Sequence, residues 1–249
     1  MLEAIYSDHY FLGGQSAELA ERRAHMKSAT GALYLDVLAR LVRPESARLL
    51  EIGCGQGEVL AEARMRGFVV SGTEISSHAA AVANRRLPEP AVRVGALDQV
   101  ALPASHFDAI LAADVIEHVR DPHAFLTRVH QLLAPGGVLL LVTPSLDSWT
   151  RRWLRSRWME YKIEHLYYFS AASLRLLLEQ CGFGAIRIAA SRKVLTLDYV
   201  CRHFERFPVP LLTPLLSLAR RTMPDRIAYR HLRMASSGLL ATAKTPPVK

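Results

Sequence analysis

The stretch LLEIGCGQGEVL, from Leu49 to Leu60, decides how the rest of the chain is read. A short apolar run reaches Glu51 and is followed by glycine at every second position: Gly53, Gly55 and Gly57. Glycine that dense weakens any helix or strand, so the backbone here turns tightly, approaches something closely, or both. Residues 47–52 read as a strand leading into the turn, and the stretch from about Gly57 to Arg66 as a helix leaving it.

Outward from the turn the same alternation repeats. FVVSGTE (68–74), AVRV (91–94), FDAILAAD (107–114) and GVLLLVTP (137–144) read as four more strands, with IRIAA and GLLATA as the last two candidates. Helices fall between them. One is capped by Ser76 or Ser77, one runs from Asp121-Pro122 to Leu133 and stops at Pro135-Gly136-Gly137, and SAASLRLLLEQCGF (170–183) starts on a serine and stops at Gly182. Residues 16–42, closed by Pro44, form a helix ahead of the first strand. Strands alternating with helices predict a largely parallel sheet covered on both faces. The unbroken apolar fourth and fifth strands fit burial on both sides. Two stretches break the rhythm: residues 145–169, which carry all three tryptophans, and residues 194–233, rich in proline, leucine and arginine.

The chain has 249 residues, of which 50% are hydrophobic and 22% charged, enough for a sizeable core and too apolar for global disorder. A net charge of +8 points to nucleic acid, anionic lipid or an acidic substrate, or simply to an arginine-rich enzyme. Cys54, Cys181 and Cys201 lie far apart, which argues against a disulfide framework or a zinc ribbon and fits a reducing compartment. The first residues, MLEAIYSDHYF, lack the build of a signal peptide, and FPVPLLTPLLSLARR is broken by prolines. A cytoplasmic location is expected, with peripheral membrane contact open.

In an open parallel sheet ligands sit beyond the C-terminal ends of the strands, where GCGQG falls. A dinucleotide requires GxGxxG, whereas here the spacing is GxGxG and Glu58 takes the third glycine's place. Glu51 and Glu58 flanking the turn would repel a pyrophosphate and favour a ligand bearing an ammonium and a sulfonium. The charge therefore selects S-adenosylmethionine over NAD. Glu74, closing the second strand, is placed to accept hydrogen bonds from ribose hydroxyls in either case.

Taken together, Glu51-Ile-Gly-Cys-Gly-Gln-Gly57, Glu74, LPASHFDAILAADVIEHVRDP and LLAPGGVLLLVTP resemble the class I S-adenosylmethionine-dependent methyltransferases. The likeness is greatest to the small-molecule branch whose fourth strand runs into D-x-x-E-H-x-x-D-P, as in the O-methyltransferases of ubiquinone biosynthesis, and HLYYFSAASLRLLLEQCGF is similar to that branch too. The resemblance covers roughly residues 45 to 190 and implies an α/β, Rossmann-like, seven-stranded and mostly parallel sheet with helices on both faces. The last strand should be antiparallel and form a hairpin with the sixth. It further implies an N-terminal helical cap over 1–44 and a methyltransferase domain over 45–249. Within the latter, 145–169 is a substrate-side segment and 194–233 a helical insertion.

Carried over by position, Glu51 and the backbone from Gly53 through Cys54 and Gly55 to Gly57 should hold the methionine part, Glu74 the ribose, and Ile75 the adenine. Members of the branch often place an aspartate directly after the glycine that follows the third strand. Here Gly95 is followed by Ala96, so Asp98, or backbone near Leu97, takes that role. Asp114 closes the fourth strand on the cofactor side. His118 in DVIEH is the natural general base for a hydroxyl acceptor, with His165 in IEHLYYFS as a second imidazole. Asp114, Glu117, His118 and His165 also form an oxygen- and nitrogen-rich set able to hold a divalent metal ion, although none is expected as a resident ligand.

The acceptor is expected to be a small or lipid-like molecule methylated at oxygen. An RNA-modifying enzyme using the basic surface, or an N- or C-methyltransferase of a secondary metabolite or sugar, is the alternative. WTRRWLRSRWMEYK (149–162) suits stacking on nucleic acid, roofing an acceptor pocket, or packing its tryptophans on the sheet. Residues 199–233, with leucines on one side and arginines on the other, suit a lid, a contact in a homodimer or a shallow membrane anchor. Monomer and homodimer are both open.

Overall fold

The computed structural model describes residues 17–247. The first sixteen residues, including the start of the expected N-terminal cap, lie outside them. The chain runs through α1 (Ala17–Leu38), β1 (Arg48–Ile52), α2 (Glu58–Met65), β2 (Val69–Glu74), α3 (Ser77–Arg86), β3 (Val92–Val94) and β4 (Phe107–Ala113). A 3-10 turn (Ile116–His118) leads to α4 (Pro122–Leu132), β5 (Leu133–Pro144), α5 (Trp149–Leu154), a second 3-10 turn (Arg155–Arg157) and α6 (Ala171–Gln180). The chain then forms β6 (Gly184–Leu195), α7 (Leu197–Arg206), α8 (Leu212–Thr222), α9 (Asp225–Ala228) and β7 (Leu232–Lys244).

The seven strands form one sheet in the order β3-β2-β1-β4-β5-β7-β6. Pairings among β1 to β5 are parallel, and β7 runs antiparallel to both β5 and β6, as the resemblance implied. Because the side-chain period of a strand is two, a strand buried on both faces feeds two cores. In β4, Ile110 and Ala112 join one cluster while Ala109 and Leu111 join the other. In β5, Leu139 and Leu141 face α4 and α6 (Phe125, Leu126, Leu174, Leu178), while Val138, Leu140 and Val142 face the side on which α1 lays Tyr34, Leu35 and Leu38.

Local signals set most boundaries. Ser76 caps α3 by accepting from Ala79 N, Asp121 caps α4 by accepting from Ala124 N, and Ser170 and Ser173 form a reciprocal capping box on α6. Three boundaries differ from the sequence reading. α1 ends at Leu38, whose carbonyl accepts from both Leu41 N and Val42 N in tight turns, before Pro44 is reached. Pro135-Gly136-Gly137 does not close α4 with a loop. It lies in the irregular first part of β5, where the register against β4 slips between Phe107 and Ala109. β6 and β7 pair as far as Leu195 and Leu232, so the insertion is shorter than 194–233: Val194, Leu195, Leu232 and Arg233 belong to the sheet. Their pairing partners are each other, remote in sequence, and no local pattern announces them.

The topology fixes where function lies. The glycine turn after β1, the segment after β4, residues 145–169 after β5 and the helical insertion between β6 and β7 all leave the same edge of the sheet.

Candidate active site

The tight turn that the glycines indicated is built from left-handed backbone: φ is +69° at Gly53, +56° at Gly55 and +78° at Gly57. Gly53 N and Cys54 N both donate to Thr73 O, at 2.8 and 3.1 Å, tying the turn to the end of β2. A Cβ on Gly57 would stand 2.8 Å from Ala83 Cβ, so this glycine lets α2 and α3 meet. A Cβ on Gly55 would meet only Lys27 Nζ, at 3.8 Å, so this one leaves the backbone open on its outer side.

Glu74 is buried, and its two carboxylate oxygens accept from Gly55 N and Ser76 N, each at 2.9 Å. It therefore clamps the turn to the start of α3, and each oxygen keeps a second lone pair. Glu51 is buried on β1, and its Oε2 has no hydrogen-bond partner. Burial pushes its carboxyl well above the ordinary range, nearby Glu58 pushes further, and the Lys27 ammonium opposes both. Glu58 is buried as well, 3.8 Å from Arg86. A site with three buried carboxylates and an orphaned oxygen suits a cationic ligand and disfavours a diphosphate. Cys54 is buried with its thiol pushed up by burial, inert as a nucleophile. Ile75 is half-buried after β2, Leu97 is buried, and Asp98 is exposed on the turn after β3.

Beyond β4 the backbone turns at Asp114, a non-glycine residue with φ +55°. Asp114 N donates to Val142 O, and its carboxylate pairs with Lys193 Nζ of β6 at 2.8 Å. Desolvation acts to raise the Asp114 carboxyl, but Lys193 outweighs it and holds the group below its ordinary range. Glu117 is 1% exposed. Its Oε2 accepts from Thr143 Oγ1 at 3.0 Å, whereas Oε1 has no partner. Burial, reinforced by the Asp114 charge, pushes this carboxyl to about 8.

Backbone bonds bring the second histidine in. Leu166 N and Tyr167 N both donate to Glu117 O, at 2.8 and 3.3 Å, pinning the segment after β5 against the 3-10 turn. His118 and His165 then meet edge to face, ring centroids 4.8 Å apart. His118 Nδ1 lies 2.9 Å from Glu164 O. A carbonyl can only accept, so Nδ1 carries the proton and Nε2 the lone pair. His165 is buried, with Nδ1 unpartnered. Burial lowers both imidazoles from their ordinary value, His118 against the pull of Glu164 and His165 with help from Lys162, so both are neutral at pH 7.

One ligand atom each from Glu117, His118 and His165 lies within 4.8 Å of the others. Of the four residues the sequence grouped, these three converge, while Asp114 turns to Lys193. Two imidazoles and a carboxylate, two of whose atoms are buried without partners, form a donor set that fits a divalent cation. Three contributors escaped the sequence reading. Lys27 sits on α1, Thr143 is a hydroxyl in an otherwise apolar strand, and Lys193 comes from β6. Only Thr143 carried a local signal, as a buried polar residue in a two-sided strand.

Of the tryptophans, only Trp158 packs inside, 1% exposed and bonded to Thr150 Oγ1. Trp149 and Trp153 are exposed and adjacent, centroids 6.5 Å apart, so α5 does not lay its tryptophans on the sheet.

The model of a methyltransferase domain family matches residues 22–188. The ubiquinone biosynthesis O-methyltransferase of Caulobacter sp. (strain K31) is 38% identical over 105 residues, covering 40% of this chain and 41% of that protein. The enzyme of the same name from Parvibaculum lavamentivorans is 34% identical over 128 residues, covering 49% and 50%. The chain thus spans about half the length of the curated relatives it matches. Among solved structures, a Thermotoga maritima S-adenosylmethionine-dependent methyltransferase, named as a possible histamine N-methyltransferase, superposes with a TM-score of 0.58. It is 18% identical, and the match covers 89% of this chain and 91% of that one. Phosphoethanolamine N-methyltransferase 2 of Haemonchus contortus, in complex with S-adenosyl-L-methionine, gives 0.56 at 19% identity, covering 85% of this chain and 52% of that one.

Proposed function

The chain belongs to the methyltransferase domain family, with S-adenosyl-L-methionine as the methyl donor, and from that premise we propose that it methylates a hydroxyl oxygen of a small or lipid-like acceptor. The observation that carries this reading is the convergence of Glu117, His118 and His165 at the sheet edge that also bears the glycine turn. An amine or carbon nucleophile needs only positioning, whereas a hydroxyl must lose a proton, and this cluster is equipped to take one. The partial likeness to two ubiquinone biosynthesis O-methyltransferases points the same way.

S-adenosylmethionine supplies a methyl group on a sulfonium, already activated for displacement. The chain supplies binding, orientation and proton transfer. Gly55 leaves the backbone open for close approach, the buried Glu51 carboxyl and neighbouring Glu58 offer oxygens that a cationic ligand would stabilise as carboxylates, and Glu74 holds the turn and offers its remaining lone pairs to a ribose. Ile75, Leu97 and Asp98 flank the adenine side. His118, its Nδ1–H fixed on Glu164 O, presents Nε2 to the acceptor proton, and His165 supports it from 4.8 Å. A divalent ion held by Glu117, His118 and His165 would lower the pKa of an acceptor hydroxyl. The segment 145–169 lines the acceptor side, and the helical insertion serves as its lid over the 45–249 domain.

The test is turnover of phenolic, sugar and amine acceptors, with the product read by mass spectrometry. Oxygen methylation is expected, His118→Ala should lower it by about 100-fold or more, and donor affinity should not move. Amine-only methylation, or full turnover in His118→Ala, overturns the reading. Calorimetric titration with magnesium or manganese reads ion binding directly, and a chelator shows whether turnover depends on it.

A further inference from the structure

The insertion presents a surface that its own packing does not use. α8 packs against α7, where Leu216 O accepts from Cys201 Sγ at 3.7 Å, and Leu212 and Leu216 are half-buried. Leu211, at the N-cap, and Leu215 and Leu218 of α8 are 89%, 63% and 61% exposed. A spacing of three places Leu215 and Leu218 on one helical face, and Leu211 sits at the N-cap just ahead of them. Leu211 is held outward by a backbone at φ +67°, a conformation that side-chain-bearing residues rarely adopt. Exposed Ile227 of α9 adds a fourth large apolar group to the insertion.

Basic groups border this stripe. Arg221 lies in the last turn of α8, and Arg226 and Arg230 follow, all exposed. Arg220, on the opposite side, is committed to Asp198 at 2.6 Å and Tyr229 at 3.0 Å, which anchors the insertion to itself and, through the Arg22 guanidinium 3.6 Å over the Tyr229 ring, to α1. The same chemistry recurs next door. Arg157 lines one cavity with Pro208, Val209, Pro210, Thr213 and Pro214, and His203 Nε2 lies 2.8 Å from Met159 Sδ, so the segment after β5 abuts the insertion. That segment exposes the adjacent Trp149 and Trp153 together with Arg151, Arg152 and Arg155.

We propose that Leu211 and the Leu215–Leu218 face of α8, with the neighbouring Trp149–Trp153 pair and the bordering arginines, dock the protein on an anionic lipid bilayer. Leucine and tryptophan among arginines is what an interfacial element needs: apolar side chains enter the headgroup region while guanidiniums meet lipid phosphates. A second copy of the chain fits less well, because a two-fold interface sets a patch against itself and would place arginines opposite arginines. No helix among the described residues is long and apolar enough to cross a membrane, so attachment is by the surface. The insertion and the tryptophan segment both leave the sheet edge that bears the glycine turn, so docking turns the site toward the bilayer. The docking itself does not depend on which atom is methylated.

The experiment is co-sedimentation of the full chain with vesicles of phosphatidylglycerol and phosphatidylcholine, against phosphatidylcholine alone. Binding to the anionic vesicles is expected, weakening as salt is raised. The Leu215→Glu/Leu218→Glu double variant should partition at least about tenfold less, from the loss of two apolar insertions. Arg221→Glu/Arg226→Glu should weaken binding several-fold and flatten its salt dependence. All four positions are exposed, and unchanged donor affinity by calorimetry verifies folding and keeps the result separate from the proposed reaction. Failure of the unaltered protein to sediment, or sedimentation that survives the leucine substitutions, overturns the proposal. So does light scattering that shows the leucine variant splitting a dimer while vesicles are never bound.

Discussion

Replacing Gly57 by alanine, and separately Gly55, should separate two uses of one turn. Both residues are left-handed, φ +78° and +56°, and a side chain there costs about 1–2 kcal/mol. At Gly57 the new Cβ would also lie 2.8 Å from Ala83 Cβ and 3.0 Å from Ala83 Cα, part of the α3 backbone. Relieving that contact means separating α2 from α3, an overpacking cost of about 1–3 kcal/mol. Gly57→Ala should therefore lose roughly 2–5 kcal/mol of stability, a fall in Tm of the order of 5–15 °C for a chain of this size. At Gly55 the nearest atom is Lys27 Nζ at 3.8 Å, an ordinary contact, so only the conformational cost applies. Its Cβ would instead stand on the open side of the turn, and donor affinity should fall by about tenfold or more through blocked backbone approach. Denaturant unfolding reads the first effect and calorimetry with S-adenosylmethionine the second. If Gly55→Ala is as destabilised as Gly57→Ala, or binds the donor at full affinity, the division of labour is refuted.

Glu74→Gln should weaken donor binding by about 1.5–3 kcal/mol, since the charged acceptor is lost and the amide's one oxygen can accept from only one of Gly55 N and Ser76 N; calorimetry with S-adenosylmethionine checks it. Lys27→Met removes the cation that opposes the buried charge near Glu51, so the apo protein should lose stability at neutral pH and recover it on donor binding, as melting curves would show. Asp198→Asn should loosen the insertion by about 1–3 kcal/mol, a buried-pair loss discounted for the exposure of Arg202, and hasten proteolysis within residues 197–231. Burial pushes the Asp198 carboxyl up, but Arg220 and Arg202 outweigh it and hold it below its ordinary value. The pair's stabilisation is thus present above about pH 4 and is lost as pH falls further through the folded-state value, which proteolysis on an acid series would follow.

What the sequence determined by itself was everything that repeats at short range. Two-sided strands such as Phe107–Ala113, the caps at Ser76, Asp121 and Ser170, and the left-handed glycines at 53, 55 and 57 are dictated by side-chain period and backbone sterics within a few residues. The charge logic of Glu51 and Glu58 was legible for the same reason: both lie in the stretch that makes the turn. Only the tertiary structure decided which distant groups meet. The pairing of Val194 with Arg233 and of Leu195 with Leu232 lengthened the sheet by joining residues nearly forty positions apart. The bonds from Leu166 and Tyr167 to Glu117 O placed His165 beside His118, and Lys193 crossed from β6 to draw Asp114 away from them. Lys27 reached the glycine turn from a helix that precedes it. Contacts of this kind depend on loop closure and packing between remote segments, whose free energy no window of neighbouring residues contains.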